Sequence, residues 1–357
     1  MSSKILRFEG YNYFRQRLIL ATLSGRIVRI DKIRSDDDNP GLNEHEASFL
    51  RLIEKVTNGS TIEISYTGTT VVYKPGIIAG GKITHDCGTS RAIGYFLEPL
   101  IVLAPFSKMP FVLTLTGITN DNTDISVDTI RTVLLPQLKL FGVEDGLELR
   151  ITKRGAPPLG GGEVRFVCPI TKAFRPTQFT DPGRIKRIRG IASSTRVSPQ
   201  TANRVVESAR ALLNRYIPDV YIFTDVYRGA ESGKSPGFAL SLVAESTTGA
   251  LYCSETAAEA GETPEEVGDR GARMLLSEIR RGGCVSGLAQ WLVVVGMVLG
   301  PEDVSRVRFG PLTPFTIQVL RDLREFFGTS FKVRQEGDSY VLVCVGTGYI
   351  NVSKKTT

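Results

Sequence analysis

The chain has 357 residues, 41% of them apolar, with 44 Lys+Arg against 37 Asp+Glu and a net charge of +7. This length supports one large unit plus a smaller one, each with its own core. Five cysteines with no Cys-x-x-Cys pair argue against a disulfide framework and structural zinc, and the moderate positive charge permits an RNA or acidic partner without demanding one.

In chain order, "MSSKILRFEG" holds no apolar run long enough for a signal peptide. "YNYFRQR" interleaves Tyr11, Tyr13 and Phe14 with Arg15 and Arg17. Single-stranded RNA uses such mixtures for phosphate contact and stacking. Strand surface, core or an acidic partner segment fits equally. "RIVRIDKIRS" is predicted to be a strand, and "NPGLNEHEASFLRLIEKVTNG" an amphipathic helix with the apolar face Phe49, Leu50, Leu52, Ile53 and Val56. Gly59 is placed to end it in a left-handed cap. "STIEISYTG" is the return strand. His45 falls on this helix as a solvated residue, and His85 in the loop "GGKITHDCG". With only these two histidines, the usual general base and metal ligand is scarce.

The same order recurs. "FVLTLTGI", "DISVDTIRTVLLPQLKLFG" and "LELRITKRG" form a second copy with its break at Gly142. "SRVRFGPL", "TPFTIQVLRDLREFFG" and "SFKVRQEGDSYVLVCVG" form a third, broken at Gly328. A related unit spans "IRGIASSTRVSPQTANRVVESARALLNRY" and "DVYIFTDVYRG". The first two breaks are 83 residues apart (142 − 59) and the next two 186 (328 − 142). An insertion between the second and third copies explains the excess. The expected fold is α/β: three repeated units in a large discontinuous domain, 1–184 and 284–357, plus a smaller inserted α/β domain, 185–283.

Between the second copy and the insertion lies "RGAPPLGGGEV". It is either a tight connection between strands, with Glu163 tying down neighbouring N–H groups, or an anion site built from Lys153, Arg154 and the amides of Gly160, Gly161 and Gly162. "GRIKRIRG" places Arg184, Lys186, Arg187 and Arg189 at the entry to the insertion. "WLVVVGMVLG" is too short to span a bilayer and is expected to be a buried helix or strand.

"IRSDDDNPGL", "KRGAPPLGGGEV", "ESGKSPGFALSLVAES" and "GPLTPFT" occur in this order across nearly the whole chain. Together they resemble the RNA 3′-terminal phosphate cyclase family, which has three repeated α/β units and one inserted domain. "LATLSGRIVRIDKIR", "EASFLRLIEKVTNGSTIEISYTGTTVVYKPG" and "SSTRVSP" are similar to its eukaryotic nucleolar cyclase-like branch. A cyclase in this family carries a histidine that becomes adenylylated, in a segment similar to "GPLTPFTIQVL". Here Pro314 and Phe315 stand about there, and no histidine follows His85. Phenylalanine has no lone pair with which to attack phosphorus. The family's Glu-Gly-Gly-Gly-Gln is matched by Glu9 and Gly10, then Tyr11, Asn12 and Tyr13. Arg34 is retained, but Asp36, Asp37 and Asp38 follow it, where the family has more basic residues. The family's Asp-Gln element is replaced by Ala289, Gln290 and Trp291.

The resemblance therefore implies a protein without cyclase activity, cofactor or metal. It implies early pre-ribosomal RNA processing for the small subunit, in the nucleolus of the nucleus. The implied partners are a large nucleolar GTPase of the small-subunit processome and a pre-ribosomal particle with its small nucleolar RNA. Direct contact with pre-ribosomal RNA fits the basic segments; a membrane does not. The alternative is an endonuclease cutting in the first internal transcribed spacer, with Arg321, Asp322 and Arg324 as its patch. Arginine serves poorly as acid or base, and flanking arginines are expected to lower the Asp322 pKa. Arg321 and Arg324, three apart on one helix face, then serve as partner contacts.

Overall fold

Residues 5–352 are described by the structure, a computed structural model. The first unit runs β1 (Leu6–Glu9), α1 (Phe14–Ser24), β2 (Val28–Asp31), α2 (Glu44–Val56), β3 (Thr57–Asn58), β4 (Thr61–Ile64) and β5 (Val71–Lys74). The second runs β6 (Ile77–Ile78), β7 (Gly81–Asp86), α3 (Ile93–Leu103), β8 (Phe111–Gly117), α4 (Val127–Thr129), a π-turn over Ile130–Leu134, α5 (Leu135–Leu138), β9 (Glu148–Lys153) and β10 (Gly162–Cys168). Then come β11 (Gln178–Phe179), β12 (Ile185–Thr195), α6 (Pro199–Leu213), β13 (Val220–Tyr227), β14 (Gly237–Ser246), β15 (Leu251–Ala257) and α7 (Pro264–Arg281). The chain closes with α8 (Gln290–Val298), β16 (Val304–Phe309), α9 (Pro314–Phe327), β17 (Lys332–Glu336) and β18 (Ser339–Val345).

Three four-stranded sheets share one plan: β1-β2-β5-β4, β7-β8-β10-β9 and β11-β16-β18-β17. In each, the first pair is parallel and the next two pairs antiparallel. The repeat is therefore longer than the strand–helix–strand pattern predicted. Each copy begins with an extra strand and an apolar helix: α1, α3 or α8. These helices pack on one another across copies, α1 on α3 and α3 on α8. Almost every residue of α3 and α8 is buried. A helix enclosed on all sides has no polar stripe to reveal its period. "WLVVVGMVLG" is thus α8, one of three central helices.

The insertion falls inside the third copy rather than between the second and third. Strand β11, from before the excursion, pairs with β16, which follows it. The excursion forms its own sheet, β13-β12-β14-β15, with α6 and α7 on one face. Gly142 (φ 84°) and Gly328 (φ 73°), the predicted breaks, end their helices in the left-handed region expected of Gly59. Gly59 does not. Helix α2 ends at Val56, Thr57 is already extended, and Gly59 (φ 79°) turns the chain between β3 and β4. Phe49, Leu50, Leu52, Ile53 and Val56 form the buried face of α2.

Candidate functional cleft

The N-terminus of α9 occupies the segment where the resemblance places a nucleophile. The Thr313 hydroxyl accepts the Thr316 N–H (3.1 Å), and Pro314 fills the first turn, where no intrahelical donor is needed. The Gln290 side chain holds the approach. Its carbonyl accepts the Thr313 N–H (3.0 Å) and its amide donates to the Pro311 carbonyl (3.2 Å). Gln290 is buried, so this part of the family's Asp-Gln element is here a structural tie.

Phe315, Trp291 and Tyr13 form one aromatic cluster. The Phe315 ring lies 5.6 Å from Tyr13 and 6.4 Å, edge-on, from Trp291. Tyr13 caps α1 at φ 60°, a left-handed conformation uncommon for a bulky residue. Three segments that depart separately from the family pattern thus converge on one spot. The cluster borders a cleft of about 680 Å³ between the large unit and the inserted sheet. A second recess of about 430 Å³ shares Arg15, Arg91 and Phe315 with it and extends past Tyr11 and Arg34.

The charges of the cleft are already engaged. Arg15 lies over the Tyr95 ring at 4.0 Å and pairs with Glu98 at 3.4 Å. Arg91 lies over the same ring at 4.6 Å and grips Asp124 with both arms of its guanidinium. Glu278 accepts the Ser286 hydroxyl (2.9 Å), and Glu255 accepts the Ser126 N–H (3.0 Å). Burial raises the pKa of Glu98, against the pull of Arg15, and also that of Glu255. The one thiol in the wall, Cys253, is pushed up to about 12 by burial. Among the described residues no group of three His, Cys, Asp or Glu side chains is placed to hold a metal ion. Arg34, retained from the family pattern, is gripped by Glu46 (2.7 and 2.9 Å), while Asp36, Asp37 and Asp38 face solvent.

The other predicted residues do not join this cleft. Arg17 is buried over Phe8 (4.2 Å), with its Nε 3.5 Å from the Asp322 carboxylate. Burial raises the Asp322 pKa more than Arg17 and Gln318 lower it, the reverse of the expected direction. The physical reason is that Arg321 and Arg324 point to solvent while Asp322 faces the interior. The three side chains do not meet.

"RGAPPLGGGEV" takes the structural form. Gly160 N–H donates to the Ala156 carbonyl (2.9 Å) and the Gly155 N–H to the Thr119 hydroxyl (3.3 Å). A Cβ on Gly155 would lie 2.3 Å from the Gly162 nitrogen and one on Gly162 2.6 Å from Thr119, so only glycine fits. Gly161 packs against Gly233 and Lys234 of the "ESGKSPG" segment, whose Lys234 N–H donates to the Gly160 carbonyl (2.9 Å). Arg154 is 1% exposed and lies between Asp128 (2.7 and 2.8 Å) and Asp225 (2.7 and 2.8 Å) rather than open to an anion. Lys153 ends β9, and the Glu163 carboxylate holds no N–H group among the described residues.

The histidines are also relocated. His45 is half-buried, edge-on to Tyr95 at 5.1 Å, and His85 is buried in β7 rather than in a loop. Lys55 approaches His85 Nδ1 at 3.5 Å and Ser48 lies 3.0 Å from Nε2. An ammonium can only donate, so Nδ1 accepts and Nε2–H donates to Ser48. This is the wrong polarity to activate a serine. Burial and Lys55 lower the His85 pKa to about 4.

Residues 6–333 match the RNA 3′-terminal phosphate cyclase family. The chain is 53% identical over 363 residues to the human RNA 3′-terminal phosphate cyclase-like protein, covering 98% of this chain and 97% of the human one. It is 50% identical to the rRNA processing protein rcl1 of Schizosaccharomyces pombe, covering 99% of both. It is 45% identical to the rRNA processing protein RCL1 of Saccharomyces cerevisiae, covering 99% and 98%.

Proposed function

This chain belongs to the RNA 3′-terminal phosphate cyclase family, and we propose that it acts in ribosomal RNA processing as a family member without cyclase chemistry. The observation that carries the reading is the aromatic cluster Tyr13–Trp291–Phe315 at the site of the lost nucleophile. Adenylyl transfer in this family requires a nucleophile at this place in the chain, and Phe315, which stands there, has no lone pair with which to attack. The names of the two yeast relatives support the process.

In this reading the protein works by assembly. It docks a large nucleolar GTPase of the small-subunit processome and travels with it to the pre-ribosomal particle and its small nucleolar RNA. Nuclear and nucleolar residence follows from that role. Among the described residues no helix is long and apolar enough to cross a membrane. The exposed Arg321 and Arg324 on α9 suit contact with an acidic partner segment. The burial of Asp322 counts against an endonuclease centred on these three residues, because a general base must reach its proton.

Two measurements on purified protein test the proposal. Labelled ATP with a 3′-phosphorylated RNA should leave no covalent adenylate on the chain and no cyclic end on the RNA. Binding to the GTPase should fall about 30-fold or more when Arg321 and Arg324 are both changed to Glu. A covalent adenylate, or cleavage of spacer RNA by the chain alone, would overturn the assembly reading.

A further inference from the structure

Strand β13 is the free edge of the inserted sheet, and its residues alternate between two fates. Val220 and Ile222 point inward and are buried beneath α6. Tyr221, Phe223, Asp225 and Tyr227 share the other face. Asp225 and Tyr227 are engaged, the first by Arg154 and the second by the Ile151 carbonyl at 3.2 Å. Tyr221 and Phe223 are not. Each is 54% exposed, and their rings meet edge-on at 4.5 Å. The Tyr221 hydroxyl has no hydrogen-bond partner among the described residues. Nothing in this fold accounts for an uncovered aromatic pair on an edge strand.

The neighbouring strand supplies charge. Arg189 is in register with Tyr221, and Ile191 with Phe223. Arg184, Lys186 and Arg187 precede them. Only Glu245 and Asp219 oppose these cations among the described residues: Glu245 takes Lys186 and Arg187, and Asp219 takes Arg189. Four cations against two carboxylates leave the 184–189 segment, which leads up to the rings, with an excess of two positive charges. Arg184 is exposed and its side chain is unpaired among the described residues.

We propose that this face of the inserted sheet, centred on Tyr221 and Phe223, binds single-stranded RNA. Unpaired bases stack on the two rings while the Arg184–Arg189 segment meets their phosphates. Aromatic rings on an open sheet engage bases that have left a duplex, since paired bases hide their faces from side chains. The proposal rests on the ribosomal RNA processing reading for the class of nucleic acid, and it is separate from the aromatic cluster at α9 and from GTPase docking.

The test is fluorescence anisotropy of the full chain with a labelled single-stranded 12-mer of mixed adenosine and uridine, and with the same strand annealed to its complement. Ultraviolet crosslinking of the single strand then locates the contact. The wild-type chain should prefer the single strand and crosslink within 220–227. Tyr221→Ala/Phe223→Ala should weaken single-strand binding about 30-fold or more without changing its salt dependence. Arg184→Ala/Arg187→Ala should instead flatten the slope of log affinity against log salt, by about 0.7 for each phosphate that is no longer neutralised. Tyr221→Phe should bind as wild type, and unchanged melting temperatures verify that all variants fold. Equal affinity of the aromatic double variant, crosslinks confined to the large cleft, or equal binding of the duplex would each overturn the proposal. Intact RNA binding with loss of a protein from reconstituted particles would make the face a protein-docking surface and also refute it. GTPase binding of the same variants is measured in parallel, so failure of the RNA surface and failure of the assembly reading are separable.

Discussion

Replacing Arg154 with Leu should destabilise the protein by about 3 kcal/mol, because it leaves the buried Asp128 carboxylate with only the more exposed Arg131 as counter-charge. The geometry sets the size. Asp128 is 1% exposed and gives both oxygens to Arg154. Its remaining contacts, from Asn120 and Arg131, are long at 3.3 Å. Burial opposes both charges, yet pairing wins: the Arg154 pKa is raised and the Asp128 pKa lowered. Asp225 differs, since its side chain is 36% exposed and can be hydrated when Arg154 is replaced. Asp225→Asn should therefore cost only about 1 kcal/mol. The double variant Arg154→Leu/Asp128→Asn should recover about 2 kcal/mol relative to Arg154→Leu, because it removes the stranded charge. Urea unfolding followed by near- and far-ultraviolet circular dichroism would measure these values, provided the two transitions coincide. A cost below about 1 kcal/mol for Arg154→Leu, or no recovery in the double variant, would refute the buried-clamp argument.

Other expectations follow from the same contacts. Phe315→His should not restore adenylylation from labelled ATP, because Tyr13 and Trp291 still occupy the site. Trp291→Ala should cost about 3–5 kcal/mol in urea unfolding, since the indole is 4% exposed between α9 and the central helices. His85 has a folded pKa below its unfolded value, so the unfolded chain binds the extra proton first. Its contribution is complete above pH 6.5 and declines as the pH falls toward about 4. His85→Gln should flatten that part of the stability profile. Asp322→Asn should cost less than about 1 kcal/mol in urea unfolding, because burial outweighs the pull of Arg17 on this carboxylate and the fold gains little from its charge.

The repeat is legible in the sequence where helices are amphipathic and end on glycine. Two of the three predicted breaks, Gly142 and Gly328, end a helix, and both do so with left-handed backbone. The helices α1 and α3 escape sequence reasoning for the opposite reason: buried all round, they carry apolar runs without a period. The insertion begins at the predicted residue 185, but the third copy already opens before it, at β11, which has only two residues and reads as part of a turn. In the site, each replaced residue is visible singly, but the meeting of Tyr13, Trp291 and Phe315 comes from three distant segments and needs the tertiary fold. Arg17 and Arg154 resemble surface cations for a related reason. Their partners lie far along the chain, with Asp225 71 residues from Arg154, and no local pattern marks a pair that only packing creates.

Burial also decides how the segment "RDLR" can be probed. Arg321 and Arg324 lie on the exposed face of α9, whereas Asp322 joins α9 to α1 through Arg17. A substitution at Asp322 changes the packing of a helix that also carries Phe315 at its other end. It would alter assembly, RNA contact and any cleavage together, whichever of them the protein performs. Substitutions at Arg321 and Arg324 disturb no buried pair, so only they read the surface itself. A defect shared by all three positions is therefore what a helix docking surface produces when it is either recharged from outside or loosened from beneath. A nuclease would require the three side chains to face one phosphodiester, and the inward turn of Asp322 puts its carboxylate on the opposite side of the helix surface from the two guanidinium groups.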